Sequence, residues 1–161
     1  MDREALLYGK AAGNVAECGL CAHRCRIVPD GRGLCGVREN REGRLFSLSY
    51  GMILAENVDP IEKKPLFHLL PGSRSYSIAA AGCNFRCTFC QNHEISQMPR
   101  ERGRVAGAVR TPAQIVEQAR QSGSLTIAYT YTEPTVFCEF ACETAGIARE
   151  RGLKNVFVTN G

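Results

Sequence analysis

The chain has 161 residues, 44% of them hydrophobic and 22% charged, with a formal net charge of +4. Those values fit a globular chain of one domain, or one domain with a small added module. No run approaches the roughly 20 apolar residues of a membrane span, and residues 1–10 mix charge with too short an apolar stretch for a secretory signal; membrane and exported classes are set aside and a cytoplasmic location is expected.

Residues 1–43 are rich in glycine and turn signals and carry Cys18, Cys21, Cys25 and Cys35. A brief helix is expected near Arg3–Ala11, but the segment has no strong period and needs a cross-link or a metal to hold it. Phe46, Leu48 and Tyr50 alternate with Ser47 and Ser49, the period of a half-buried strand. Gly51 then turns the chain into a second strand over 52–58. Residues 59–72 hold three prolines and read as a connection. The expected division is a Cys-rich metal-binding module with short strands over 1–72 and a second unit over 73–161.

The second unit opens with a strand over 75–81 and a cysteine loop over 82–92. Arg100, Arg102, Arg104 and Arg110 follow as a basic loop. It has none of the interleaved aromatics that single-strand binding uses, so it reads as a solvated connection and nucleic acid is not expected as a partner. Thr111-Pro112-Ala113-Gln114 has the cap, the proline and the capping-box glutamine of a helix start, and Gly123 ends that helix. A strand over 125–131, a helix over 134–151 stopped by Gly152, and a strand over 155–159 complete the order. Short β-α-β-α-β connections imply parallel strands and right-handed crossovers. In such α/β sheets and barrels chemistry gathers at the carboxyl ends of the strands. Those ends carry Cys83–Cys90, Thr132-Glu133-Pro134 and Thr159-Asn160, which are expected on one rim. A closed barrel takes about 250 residues, so the sequence reads as the N-terminal portion of a partial (β/α) barrel within a longer protein.

Nine cysteines are many for a chain with no export signal. Kept reduced, grouped thiols read as metal ligands before disulfides. Cys83, Cys87 and Cys90 have the spacing C-x3-C-x2-C. Three thiolates on one loop grip three irons of a four-iron cluster and leave the fourth corner open for a ligand. Zinc, with His93 as a fourth ligand, is the weaker alternative. Cys138 and Cys142 lie four apart, on one helical face beside Phe137 and Phe140, and are expected in the core.

The loop Cys83–Cys90, with an aromatic before its third cysteine, resembles that of the radical S-adenosylmethionine (SAM) superfamily. Its continuation Gln91-Asn92-His93-Glu94-Ile95-Ser96-Gln97 and the segment Asn57-Val58-Asp59-Pro60-Ile61-Glu62-Lys63-Lys64-Pro65-Leu66-Phe67-His68 are similar to the AmmeMemoRadiSam-system members, relatives of the pyruvate formate-lyase activating enzyme. The resemblance implies that Cys83, Cys87 and Cys90 hold a [4Fe–4S] cluster whose open iron binds SAM. One electron then splits the sulfonium to methionine and a 5′-deoxyadenosyl radical that abstracts hydrogen. A flavodoxin or ferredoxin as reductant and a protein substrate, in the manner of a glycyl-radical activase, are also implied. Phe89 would pack near the adenine, and Glu133 would meet the SAM ammonium where most relatives carry Gly-Gly-Glu; a helix N-terminal acid is its plainer role. Asn92, Thr159 and Asn160 are pocket candidates, with turn roles as the alternative. Val158 stands where activating enzymes carry an acid, which leaves their cation site in question.

Cys18, Cys21, Cys25 and Cys35 give C-x2-C-x3-C-x9-C in a segment without a core. Zinc and a second iron–sulfur cluster both suit four soft ligands, and either would supply folding energy. His23 is a neighbour or a substitute ligand. Two rivals to an enzyme stand beside the main reading. A non-catalytic iron–sulfur electron carrier would close its cluster with four protein ligands, and a zinc-binding interaction module would hold no iron.

Overall fold

The computed structural model describes residues 3–160. Its first third is two small antiparallel sheets. In one, β1 (Arg3–Glu4) and β5 (Arg38–Arg41) flank β6 (Arg44–Ser47). In the other, β3 (Val15–Cys18) lies between β2 (Tyr8–Ala11) and β4 (Arg26–Ile27). Between them they bury Ala5, Ala16, Cys18, Ile27 and Leu45. The helix expected over Arg3–Ala11 does not form. Leu7 lies in the left-handed region (φ 56°), which breaks a helix, and the backbone of β2 is satisfied across the strand by β3.

The alternation after Arg44 is inverted at Phe46 and Leu48, whereas Tyr50 is buried in the core and the strand itself ends at Ser47. Leu45, Ser47 and Ser49 point inward, while Phe46 and Leu48 are half-exposed. Phe46 is covered instead by the guanidiniums of Arg41 and Arg44, 5.0 and 5.4 Å from its ring centre. The inward serines leave room for close docking, and the Ser49 hydroxyl donates to the Val136 carbonyl.

The rest is a five-stranded sheet of order β11-β10-β8-β7-β9, comprising β7 (Met52–Pro60), β8 (Arg74–Ala80), β9 (Ala108–Val109), β10 (Thr126–Tyr129) and β11 (Lys154–Phe157). Strands β8, β10 and β11 are parallel, as the alternating order requires; β7 and β9 add an antiparallel flank. Because β7 pairs with β8 along most of its length, the sheet draws strands from both sides of the proline-rich connection. That connection includes a single helical turn, Ile61–Lys63.

Three helices follow the strands: α1 (His93–Glu101), α2 (Pro112–Gln121) and α3 (Cys138–Glu150). The expected capping box is present at α2, with Thr111 Oγ1 accepting from Gln114 N–H and Gln114 Oε1 from Thr111 N–H. Helix α1 replaces the first part of the expected basic loop. Its sequence is polar and contains Pro99, yet it forms a helix with Ser96, Gln97 and Pro99 buried. The arginines are not simply solvated either. Arg100 donates to the carbonyls of Leu34 and Phe85, and Arg110 pairs with Glu56.

The sheet has two different faces. Tyr76, Ile78, Ile127 and Tyr129 pack under α2 and α3 against Ile115, Val116, Phe137 and Phe140. Cross-strand register puts Asn57, Asp59, Ser75, Ser77, Thr126, Ala128 and Val156 on the opposite face. Only a small apolar patch, Ile61 with Ala128 and Val156, forms there. Cys138 and Cys142 depart from the core expected of them. Cys138 is half-buried against the Arg38 guanidinium and Cys142 is exposed, because α3 turns Phe140 and Ala141 inward instead.

Candidate cluster and cofactor site

The carboxyl ends of β8, β10 and β11 meet around one cavity of about 360 Å³. The loop after β8 brings Cys83, Cys87 and Cys90 to its wall, with Asn92 beside them. The turn after β10 brings Tyr131, Thr132 and Glu133, and the end of β11 brings Thr159 and Asn160. The three strand ends thus share one rim. Phe89 does not join them. It is 84% exposed, and Phe85 lines the cavity instead; both aromatics lie within the loop, and spacing alone does not say which one turns inward.

Each of the three sulfurs has a polar neighbour. Phe85 N–H donates to Cys83 Sγ at 3.4 Å, Asn160 Nδ2 to Cys87 Sγ at 3.8 Å, and Cys90 Sγ lies 3.6 Å from the Ser96 hydroxyl. Burial pushes the Cys83 thiol up from its ordinary pKa, while the backbone N–H groups of Phe85 and Glu133 act against that rise. Donors of this kind stabilise thiolates that ligate metal. Among the described residues no three His, Cys, Asp or Glu side chains converge closely enough to hold one metal ion. A cubane cluster does not require convergence, because each thiolate takes a different iron. Three thiols on one cavity wall, two of them with a donor, fit such a cluster.

Glu133 is 5% exposed and bonds only to neutral groups. Its Oε1 accepts from the hydroxyls of Thr135 and Thr159, both at 2.7 Å, and its Oε2 from Asn160 N–H at 3.1 Å. No lysine, arginine or histidine among the described residues forms an ion pair with it. A buried carboxylate without a cation is costly, and this one lines the cavity. It also ties the end of β10 to the end of β11.

A group that spacing did not single out also borders this cavity. Asp59 Oδ1 accepts from Lys63 Nζ at 2.8 Å, and Oδ2 from Lys64 Nζ at 2.7 Å and Tyr131 Oη at 2.5 Å. Lys63, Lys64 and Tyr131 line the cavity too. The signal in the sequence is the Asp59…Lys63-Lys64 spacing, legible only once β7 is known to end there.

The four N-terminal cysteines line a separate, enclosed cavity of about 20 Å³ together with His23, Arg38 and Asn84. That is room for one ion-sized or water-sized group. The sulfurs share its wall without converging on one point. Burial pushes the Cys18 and Cys35 thiols up, and the Arg38 guanidinium opposes this in both. Arg38 is fixed by a buried ion pair with Glu139 at 2.5 Å, each side chain 1% exposed.

A three-cysteine loop at the mouth of parallel strands, sharing one cavity with a buried acid, is the arrangement of a cofactor-binding α/β enzyme. The Radical SAM superfamily matches residues 77–161, and the chain belongs to it. Members of this superfamily usually bind a [4Fe–4S] cluster and SAM. The chain is 46% identical over 159 residues to the uncharacterized protein MJ0808 of Methanocaldococcus jannaschii, covering 99% of this chain and 47% of that protein. It is 34% identical over 83 residues to a second uncharacterized protein of that organism, MJ0674, covering 51% of this chain and 20% of the other. The chain therefore spans about half or less of the curated relatives it matches. No solved structure matches it. No helix among the described residues is long and apolar enough to cross a membrane.

Proposed function

We propose that the protein is a radical SAM enzyme in which Cys83, Cys87 and Cys90 hold a [4Fe–4S] cluster and the cavity beside them receives SAM. The carrying observation is that three thiols, each with a polar neighbour, share one cavity with a buried carboxylate that has no cationic partner among the described residues. When bound, the reduced cluster supplies the electron that splits SAM into methionine and a 5′-deoxyadenosyl radical. Glu133 accepts the SAM ammonium, a charge-assisted hydrogen bond in a site shielded from water. Thr159 and Asn160 hold that carboxylate in place, and Asn92 is a further donor at the rim. The parallel strands form the first part of a partial barrel, and a cytoplasmic location suits the reduced thiols. The AmmeMemoRadiSam resemblance, with a flavodoxin- or ferredoxin-type reductant and a protein substrate modified in the manner of an activase, belongs to the same reading.

For the N-terminal set, the small enclosed volume suits a single ion such as zinc, whereas sulfurs that do not converge on one point suit a second cluster, and metal analysis decides between the two. A non-catalytic electron carrier is disfavoured because such a carrier closes its cluster with protein and has no need of Glu133 on the same cavity.

The test is anaerobic reconstitution of the full-length protein, reduction with SAM, and an assay for 5′-deoxyadenosine. Wild type is expected to form it and Cys87→Ser to form none. Equal product from that variant removes the site assignment, and metal analysis finding zinc without iron removes the reading altogether.

A further inference from the structure

The segment Asn57–His68 supplies none of the thiols and none of the contacts to Glu133. It nevertheless builds one wall of the same cavity. Lys64 is buried, with its side chain 3% exposed, against an Asp59 side chain that is 7% exposed. The Lys64 ammonium lies 4.6 Å from the centre of the Tyr131 ring, whose hydroxyl donates to the same Asp59 oxygen that accepts from Lys64. Lys63 bonds the other oxygen but keeps its side chain 58% exposed at the cavity.

Two ammoniums on one carboxylate leave a surplus positive charge. Lys64 alone suffices to neutralise the buried acid, and Lys63, with its side chain 58% exposed at the cavity, stays within reach of a ligand. Tyr131 itself lies in the left-handed region (φ 65°), a strained conformation for a bulky residue. That backbone sends the Tyr131 ring to Asp59 and Lys64, while Glu133, two residues on, bonds the end of β11. The surrounding sheet face is polar, with the Ser75 and Thr126 hydroxyls buried and unpartnered among the described residues.

We propose that Lys63 and Lys64, positioned by Asp59 and Tyr131, bind an anionic group of the substrate, a carboxylate or a phosphate, in the cavity that the cysteines also line. This rests on the reading of the cavity as the reaction site and names the substrate chemistry it takes. The cavity then has a negative pole at Glu133 and a positive one at Lys63, so a cationic ligand group and an anionic one are sorted to opposite sides.

The test titrates the full-length protein, with and without its cluster, against inorganic phosphate and against acetate, read by calorimetry, alongside a separate SAM titration. Wild type is expected to bind one of the two anions saturably. Lys63→Gln should weaken that binding at least fivefold, Lys63→Arg should keep it within twofold, and Lys10→Gln, on β2 in the N-terminal sheet and outside the cavity lining, should leave it unchanged. Tighter phosphate marks a phosphorylated substrate, and tighter acetate a carboxylate one. Binding of neither anion by wild type, or equal binding by Lys63→Gln and Lys64→Met, overturns the proposal. So does an equal loss of SAM affinity in Lys63→Gln, which would assign the lysines to the SAM carboxylate. The cluster-free titration stands apart from 5′-deoxyadenosine formation, so failure of the radical reading and failure of this one are told apart.

Discussion

His23 Nε2 donates to the Asn84 carbonyl oxygen at 2.8 Å, joining the N-terminal cysteine segment to the loop that carries Cys83. His23 and Asn84 both line the enclosed cavity of the four N-terminal cysteines, and Asn84 is the residue next to Cys83. The two cysteine groups are therefore mechanically coupled. Ordering the first segment braces the second loop.

That coupling is measurable. His23→Ala removes one hydrogen bond, worth about 1 kcal/mol, and should raise the rate at which a chelator strips iron from the reconstituted protein by roughly fivefold. Hydrogen exchange at residues 84–90 should rise with it. Unchanged exchange in this loop would show that the two segments are independent.

The buried pair Arg38–Glu139 also clamps the first sheets to α3, with Leu6 N–H donating to Glu139 and Arg38 donating to the Leu6 carbonyl. Removing one partner leaves a buried charge unpaired, so Glu139→Gln should cost about 3–5 kcal/mol in urea denaturation. Arg38→Met with Glu139→Leu should recover most of that loss. A double variant as unstable as the single one would mean that the pair's polar contacts, not its uncompensated charge, set the cost.

Acid should weaken the protein through Asp59. Burial raises its pKa, but hydrogen bonds from Lys63, Lys64 and Tyr131 outweigh burial and hold it well below the usual carboxylate range. A carboxyl lowered on folding contributes stability above its unfolded pKa, near 3.9, and that contribution is lost as pH falls through this value toward the folded one. The urea midpoint should therefore drop below about pH 4, and Asp59→Asn should flatten the drop. Some slope should remain from Glu39, where Arg41 and Arg32 likewise overcome burial. An Asp59→Asn profile parallel to wild type would exclude Asp59 as its source.

Gly82 precedes Cys83 at φ +100°, and a Cβ there would lie 2.7 Å from Val37 Cγ1 and 3.1 Å from the Cys35 carbonyl oxygen. Gly82→Ala should cost on the order of 1–3 kcal/mol from backbone strain, with further loss from the clash. Thermal denaturation reads the cost directly. Adding Val37→Ala should relieve the clash but not the strain, so a full rescue would show that φ is not limiting.

Local chemistry made much of this protein legible in its sequence. The capping box at Thr111, the parallel β8-β10-β11 order and the placement of three strand ends on one rim all follow from short-range signals that the fold obeys. The spacing of Cys83, Cys87 and Cys90 likewise confines three thiols to one loop. Long-range packing decided the rest. Helix α1 forms around Pro99 with Ser96 and Gln97 buried, and Arg3–Glu4 and Tyr8–Ala11 are strands because Arg44–Ser47 and Val15–Cys18 offer them partners. Phe89 faces solvent while Phe85 lines the cavity, and Phe46 yields the interior to serines because arginines cover it from outside. Asp59 and Tyr131 meet from 72 residues apart, and no pattern in the sequence encodes that meeting, since it depends on how two strands register across a sheet.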